Sequence, residues 1–143
     1  MNVRKNAGQL TRLVAAGCLA FLVGCSGSSS TGVARYAANY EMAICDIDDP
    51  NDCQTALLKT NSDGLATIEG LDPVVGTPSG SVSENGSVDV RGVTADQTAI
   101  RFAGTITGEG AGRKVTDGVY YVTPQGLSEV PLSSWTAVCK DFC

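Results

Sequence analysis

The sequence predicts a mainly β domain, a small antiparallel meander or sandwich with one or two short helices, stapled by two disulfides. Three observations carry this prediction. A strand pattern recurs through the middle of the chain, short polar turns rich in glycine separate its copies, and cysteines flank it in two pairs. The length suits one such domain rather than two, and we place that domain at residues 35–143.

The strand pattern alternates apolar and other residues and ends in glycine. It occurs at 63–71 (DGLATIEGL), 85–93 (NGSVDVRGV) and 98–106 (TAIRFAGTI), with a looser copy at 117–124 (DGVYYVTP). Alternation of period two after an Asp-Gly or Asn-Gly turn is typical of half-buried strands. The copies start at irregular intervals, which argues against a solenoid and favours a meander or sandwich.

The two ends of the domain fit helices as well as strands. Asp49 and Pro50 suit a helix N-cap and first turn ahead of apolar residues at helical spacing, and Ser134 precedes a similar run, SSWTAVCKDFC. The same residues also fit strands, because 55–70 (TALLKTNSDGLATIEG) makes an acceptable hairpin with a four-residue loop. We predict one or two short helices near the cysteines.

The first 24 residues have the layout of a signal peptide. Arg4, Lys5 and Arg12 precede an apolar run of eleven residues, Leu13 to Val23, and no acidic group occurs among them. That run is too short for a membrane span, which needs roughly 20 apolar residues. We therefore exclude residues 1–24 from the fold.

The end of this leader, Leu22-Val23-Gly24-Cys25, resembles the lipobox of bacterial prolipoproteins. The resemblance implies that the leader is removed before Cys25, that the Cys25 sulfur carries diacylglycerol and that the new amino terminus receives a further fatty acyl chain such as palmitate. Ser26 stands where an aspartate would imply retention in the inner membrane, so the resemblance implies the outer membrane. Residues 25–34 are predicted to be the lipidated cysteine and a flexible tether.

Four cysteines remain after Cys18 leaves with the leader and Cys25 takes lipid. An even number in an oxidising compartment predicts two disulfides among the remaining set: Cys45, Cys53, Cys139 and Cys143. Three pairings are possible, and the sequence does not choose among them. A long-range pairing would constrain the unfolded chain by roughly 4.6 kcal/mol against roughly 2.6 for a local one, which favours the long-range option. Zinc is a poor alternative, because the cysteine spacings are wrong and the chain has no histidine.

One further resemblance bears on the fold. The stretch Thr60 to Leu71 (TNSDGLATIEGL) is similar to a turn-and-strand motif of Cna-B and carboxypeptidase-regulatory-like β-sandwiches. Those families usually continue with Pro-Gly and a tyrosine, whereas here Asp72 and Pro73 follow. The resemblance favours a sandwich over a barrel and implies no function.

Composition excludes several functions. Beyond the leader, seven Lys or Arg residues face fifteen Asp or Glu residues, so the surface repels nucleic acid and anionic headgroups. The absence of histidine removes the usual catalytic triads and the commonest general base. Lysines for a Ser-Lys dyad occur only outside any recognisable motif. We predict a protein without catalysis, cofactor or metal.

The densest polar cluster is 45–53 (CDIDDPNDC). Asp46 and its neighbours offer oxygen ligands to Ca²⁺, but Pro50, Asn51 and Leu57 stand where an EF-hand loop needs other residues. We interpret the cluster as a solvated acidic turn that caps a helix and is held by the flanking cysteines. The Gly-rich stretch 107–118 is interpreted as a hairpin loop whose basic pair, Arg113 and Lys114, could touch a partner.

The sequence thus predicts a lipoprotein of the outer membrane, attached by its lipid, that acts as a binding or structural module of the cell envelope. Its expected partner is another envelope or surface macromolecule, not nucleic acid. The alternative is an envelope hydrolase or an enzyme inhibitor that uses surface carboxylates.

Overall fold

The computed structural model describes residues 32–143, whose regular structure is β apart from two short 3-10 helices, Gly32–Tyr36 and Gly110–Gly112. Eight strands follow one another along the chain: β1 Ala38–Asp46, β2 Cys53–Thr60, β3 Leu65–Glu69, β4 Val74–Val82, β5 Ser87–Thr94, β6 Ala99–Thr107, β7 Lys114–Thr123 and β8 Val130–Asp141. The four stretches with the repeated pattern lie on β3, β5, β6 and β7, which confirms them as strands.

The sheet closes on itself. Each strand pairs antiparallel with the next, and β8 pairs with β1, so the eight strands form an up-and-down barrel. Met42 of β1 illustrates the closure, since it lies opposite Ala56 of β2 on one side and Ala137 of β8 on the other. The prediction of an open meander or a sandwich is therefore wrong. Period-two alternation describes one buried face and is the same whether the first and last strands meet or not.

Alternate side chains of each strand fill the barrel. The largest fully buried side chains are Trp135, Tyr40, Phe102, Met42, Leu58, Ile68, Ile106, Val90 and Val115. Phe102 stacks on Tyr120 with ring centroids 4.7 Å apart, and Trp135 donates its indole N–H to the Val119 carbonyl at 3.2 Å. The interior of the barrel is thus a packed core, as in other barrels of about eight strands.

Two glycines make room for Trp135. A Cβ on Gly118 would lie 2.4 Å from Trp135 Cδ2 and 2.3 Å from the Trp135 carbonyl oxygen, and one on Gly104 would lie 2.9 Å from Cζ2. The strand register shifts beside both positions, between Ala103 and Ile106 and between Val115 and Gly118. Bulges and strand glycines of this kind bend a sheet, and bending lets a sheet close around large side chains.

Replacing Gly118 with Ala should therefore destabilise the barrel by roughly 2 to 3 kcal/mol, because the added methyl group overlaps backbone and indole atoms. Gly112→Ala is the matched control, since its Cβ would meet nothing within 4 Å, and it should change stability by less than about 0.5 kcal/mol. Denaturant unfolding followed by tryptophan fluorescence measures both variants. Equal midpoints for the two would contradict this account of the packing.

Both predicted helices are wrong, because the segments form β2 and β8. In β2 the buried side chains are Ala56, Leu58 and Thr60, at a spacing of two instead of the helical three and four. In β8 they are Ser133, Trp135 and Ala137, while Val138 is exposed. The alternative, a β2–β3 hairpin with a four-residue loop, is confirmed. Pairing with β1 satisfies the backbone of both segments, and this non-local gain outweighs their local helical signals.

The two predicted disulfides are present, but both are local. Cys45 bonds to Cys53 directly across the β1–β2 pair, with Cα atoms 4.0 Å apart, and Cys139 bonds to Cys143 with Cα atoms 6.0 Å apart. The long-range pairing favoured on entropic grounds is therefore wrong. Barrel closure already brings β1 and β8 together, so the ends of the domain are joined by the sheet itself.

Successive loops lie at opposite ends of an up-and-down barrel. The capped end carries the helix Gly32–Tyr36 together with the loops at 61–64, 83–86 and 108–113. The uncapped end carries the loops at 47–52, 70–73, 95–98 and 124–129. The two disulfides staple different ends, Cys45–Cys53 the uncapped one and Cys139–Cys143 the capped one.

A set of buried hydrogen bonds fastens the first 3-10 helix over the capped end. The carbonyl oxygen of Tyr36 accepts a hydrogen bond from the Tyr40 hydroxyl at 2.8 Å and another from the Thr60 hydroxyl. The Arg113 guanidinium, only 6% exposed, donates to the carbonyls of Gly110 at 3.1 Å and Cys143 at 2.8 Å, and to that of Arg35. Arg113 is therefore a buried clamp, and the prediction that it lies exposed at a loop tip is wrong.

Arg113→Met should destabilise the protein by roughly 3 kcal/mol, because it keeps the apolar stem but takes a charged donor from several partly buried carbonyls. Lys114→Met, at the neighbouring exposed position, removes the same charge and should have an effect below about 0.5 kcal/mol. Thermal unfolding monitored by circular dichroism gives both values. A comparable loss for the two variants would show that charge, and not the clamp, is responsible.

Candidate functional site

The predicted site residues fall into separate places. Cys25, the predicted lipidation site, lies outside the described residues, as do the leader and the first part of the tether. The last three residues of the predicted tether, 32–34, belong to the 3-10 helix of the capped end. The structure does not gather the four disulfide cysteines into one site, since one pair lies at each end of the barrel.

Acidic side chains concentrate at the uncapped end. We call the segments 46–52, 70–73, 95–98 and 124–129 the uncapped rim. The uncapped rim contains no Lys or Arg and seven acidic residues: Asp46, Asp48, Asp49, Asp52, Asp72, Asp96 and Glu129. Within residues 32–143, Glu129 alone of these seven has a salt-bridge partner, which is Arg101. Charge on this domain is therefore segregated along the barrel axis.

The acidic turn between β1 and β2 is held by its own hydrogen bonds. Asp46 Oδ1 accepts the Asp48 N–H at 2.8 Å, and Asp49 Oδ1 accepts the Asn51 N–H at 3.0 Å. Asp and Asn side chains commonly stabilise turns in this way. In the described part of the chain no group of three or more His, Cys, Asp or Glu residues is arranged to hold a metal ion. The interpretation as a solvated acidic turn held by Cys45 and Cys53 is confirmed, although the turn leads into a strand and caps no helix.

A cleft of about 310 Å³ opens at the barrel mouth beside this turn. Its lining combines Ile44 and Leu132 with the polar side chains of Asp46, Gln54 and Ser133. Ser133 is 8% exposed, and among residues 32–143 its Oγ has no hydrogen-bond partner. A buried hydroxyl without a partner costs about 1 to 3 kcal/mol, so this serine is a local defect in the free protein.

Large apolar side chains are exposed next to the same charges. Ile47 and Leu127 are each 68% exposed, and Leu132 is 48% exposed. The β1–β8 register places Asp46 opposite Ser133, and Ile47 and Leu132 directly adjoin these two residues along the chain. The uncapped end thus presents apolar groups within an acidic surface.

Local hydrogen bonds keep some of these acids ionised. Thr94 and Thr98 donate to the Asp96 carboxylate and hold its pKa below the usual value. Arg101 donates through Nε to Glu129 Oε2 at 2.9 Å and lowers the pKa of Glu129. These groups carry negative charge at neutral pH and below.

Arg101 also anchors an ion-pair chain on the outer wall. Its guanidinium stacks on the Tyr121 ring 4.4 Å from the centroid and reaches Asp89 Oδ2 at 3.3 Å, while Arg91 pairs with the same carboxylate at 3.0 Å. Hydrogen bonding from Arg91 holds the pKa of Asp89 below its usual value. The two carboxylates and two guanidinium groups of this ion-pair series neutralise one another. We therefore interpret the series as a structural support for the barrel wall and the β7–β8 loop.

The capped end differs in charge. Its segments carry three acidic residues, Asp63, Glu84 and Glu109, and two basic ones, Arg35 and the clamp Arg113. A cleft of about 590 Å³ lies here, beside exposed Phe142, but the Arg113 guanidinium in its lining already donates to main-chain carbonyls. The larger cleft is therefore part of the capping structure, and the uncapped rim is the better candidate for a functional site.

Sequence reasoning identified the acidic turn but missed the rest of the rim. Asp72, Asp96 and Glu129 are scattered along the chain and meet only because alternate loops of an up-and-down barrel share an end. Ser133 gave no signal, since a serine in a strand is ordinary. The absence of Lys and Arg was no usable signal either, because only 108–113 of the seven loops between strands contains a basic residue.

The fold and the rim define a small closed antiparallel barrel with a packed interior and charge segregated to one end. No protein-family model matches the chain, and no curated protein or solved structure matches it either. None of the helical segments within residues 32–143 has the length and apolar character to cross a bilayer.

Ser133→Ala should stabilise the free protein by roughly 1 kcal/mol, because it removes a buried hydroxyl that has no hydrogen-bond partner among residues 32–143. Ser134→Ala, one residue along on the exposed face, should change the free energy of unfolding by less than about 0.5 kcal/mol. Guanidinium titration at neutral pH measures both. A loss of stability in Ser133→Ala would mean that its hydroxyl is satisfied in solution.

Proposed function

We propose that this chain is a lipoprotein of the outer membrane, anchored through Cys25, that acts without catalysis as a binding or structural module of the cell envelope. The observation that carries the proposal is Leu22-Val23-Gly24-Cys25 at the end of a basic and apolar leader. Two or three acyl chains at one cysteine hold a protein stably on a bilayer, at about 0.8 kcal/mol per buried methylene.

The position of the capped end supports this anchoring. Gly32 lies in the helix over that end and is seven residues from Cys25, so the connecting chain reaches at most roughly 25 Å. An anchor at Cys25 therefore holds the capped end near the membrane. The segments of that end are nearly neutral, with three acidic and two basic residues, whereas the uncapped rim is acidic and is repelled by anionic headgroups.

A hydrolase acting through surface carboxylates is the weaker candidate. Asp46 and Asp52 line one cleft, but Asp46 is already committed to the turn. A general acid needs a raised carboxyl pKa. The carboxyl groups whose pKa is displaced, among them Glu41 and Asp89, are displaced downward by their Lys and Arg partners or by hydroxyl and amide donors.

Cys25→Ser should abolish membrane attachment and leader removal when the full chain is expressed in a Gram-negative host. The wild type is expected in the outer-membrane fraction with an intact mass that includes three acyl chains, because the sulfur and the new amino terminus both carry lipid. Fractionation, immunoblotting and mass spectrometry of the detergent-extracted protein provide the measurements.

Cys18→Ser is the matched control, since it removes the other leader cysteine and should leave processing and attachment unchanged. Membrane attachment and normal processing of Cys25→Ser would overturn the lipoprotein proposal. Wild-type protein lacking a lipid adduct would overturn it as well.

A further inference from the structure

We propose that the uncapped rim is the docking site for a basic segment of a partner protein, one that carries apolar side chains beside its Lys or Arg residues. This inference rests on the proposed function, because the anchor turns the rim away from the membrane and toward a partner. It adds to the proposed function the chemical groups that the partner must carry. The site centres on Ile47, Asp48, Asp52, Leu132 and Ser133.

Charge complementarity selects a basic occupant. Seven carboxylates line the rim with no Lys or Arg in its segments, and six of them form no salt bridge within the described residues. Like-charge crowding of this kind disfavours an acidic or neutral partner and accelerates encounter with a basic one. The capped end has no such excess, so the preference is confined to one end.

The exposed apolar side chains show that charge is only part of the match. Ile47 and Leu132 adjoin the paired residues Asp46 and Ser133 at the mouth, and they are 68% and 48% exposed. Burying such groups against a partner's apolar residues contributes about 25 cal/mol per Å². A bare cation or a purely charged polymer would leave this surface uncovered.

The cleft that Leu132 helps to line supplies a place for one polar group of the partner. Ser133, with its unpartnered Oγ, lines this cleft of about 310 Å³ together with Asp46, Asp52 and Gln54. An ammonium or guanidinium group that enters the cleft meets carboxylates and can give the Ser133 hydroxyl the partner it lacks. The same defect that weakens the free barrel then strengthens the complex.

The test uses full-length protein purified in neutral detergent micelles. The probe is a fluorescent nine-residue peptide that repeats lysine, leucine and glycine three times, and anisotropy gives its Kd. We expect the triple variant Asp48→Asn, Asp52→Asn, Asp72→Asn to bind about tenfold more weakly. The matched control Asp63→Asn, Glu84→Gln, Glu109→Gln removes three charges at the capped end and should change Kd by less than about twofold.

A second pair of variants tests the apolar part. Ile47→Ser with Leu132→Ser should weaken binding about fivefold, and Leu65→Ser with Val138→Ser, exposed apolar positions away from the rim, should not. Peptides with glutamate in place of lysine, or serine in place of leucine, should bind more weakly to the wild type. Ser133→Ala should raise Kd about threefold although it stabilises the fold.

Equal losses from the two charge-removal triples would overturn the proposal, because they would show general electrostatic attraction. Equal affinity for the leucine and serine peptides would overturn it too, and an unchanged Kd in Ser133→Ala would overturn the assignment of the cleft. The intact mass of the same preparation reports lipid at Cys25 separately. Binding by protein without lipid would overturn the anchor alone, and lipidated protein that fails to bind would overturn the docking site alone.

Discussion

The pairing of β1 with β8 is the contact on which the rest of this structure depends. It leaves the sheet of residues 32–143 without an edge strand, so no edge of that sheet needs to be covered by a helix or by another sheet. It also fixes a small interior that must be filled, and Trp135 fills it only because Gly104 and Gly118 give way on the facing strands. With the interior occupied by the core, what the protein can offer to other molecules lies on its wall and at its ends.

The two ends of the barrel differ because their polar groups have different roles. At the capped end, buried carbonyls need donors, and Arg113, Tyr40 and Thr60 supply them, so the polar groups there are used in holding the fold. Burial raises the pKa of Tyr40, which keeps its hydroxyl a donor at ordinary pH. At the uncapped end, six of the seven carboxylates form no salt bridge and the Ser133 hydroxyl has no hydrogen-bond partner among residues 32–143. Polar groups without a partner in the free protein are expected at a surface that binds another molecule.

The sequence could predict the strands but not their closure. The alternation at 85–93 or 98–106 depends only on one buried face, so it is visible locally, whereas the β1–β8 contact joins residues about a hundred positions apart. The helical signals failed for the same reason. Ala56 fits both the helical period and the strand period of two, and its pairing with Met42 places it in a strand. The acidic turn was predictable from Asp46 to Asp52, but the complete rim was not, since its members converge only through topology.

The height of the barrel and its charge distribution both favour one orientation of the domain on the proposed lipid anchor at Cys25. The longest strand, β8, has twelve residues, which at about 3.3 Å each and the usual barrel tilt gives a height of roughly 30 Å. That height exceeds three Debye lengths at physiological ionic strength, about 8 Å each, so the uncapped rim lies beyond the field of the headgroups when the barrel stands upright. Tipping the barrel brings seven carboxylates toward an anionic surface and is opposed. With the proposed anchor at Cys25, this repulsion therefore favours orientations in which the uncapped rim points away from the membrane.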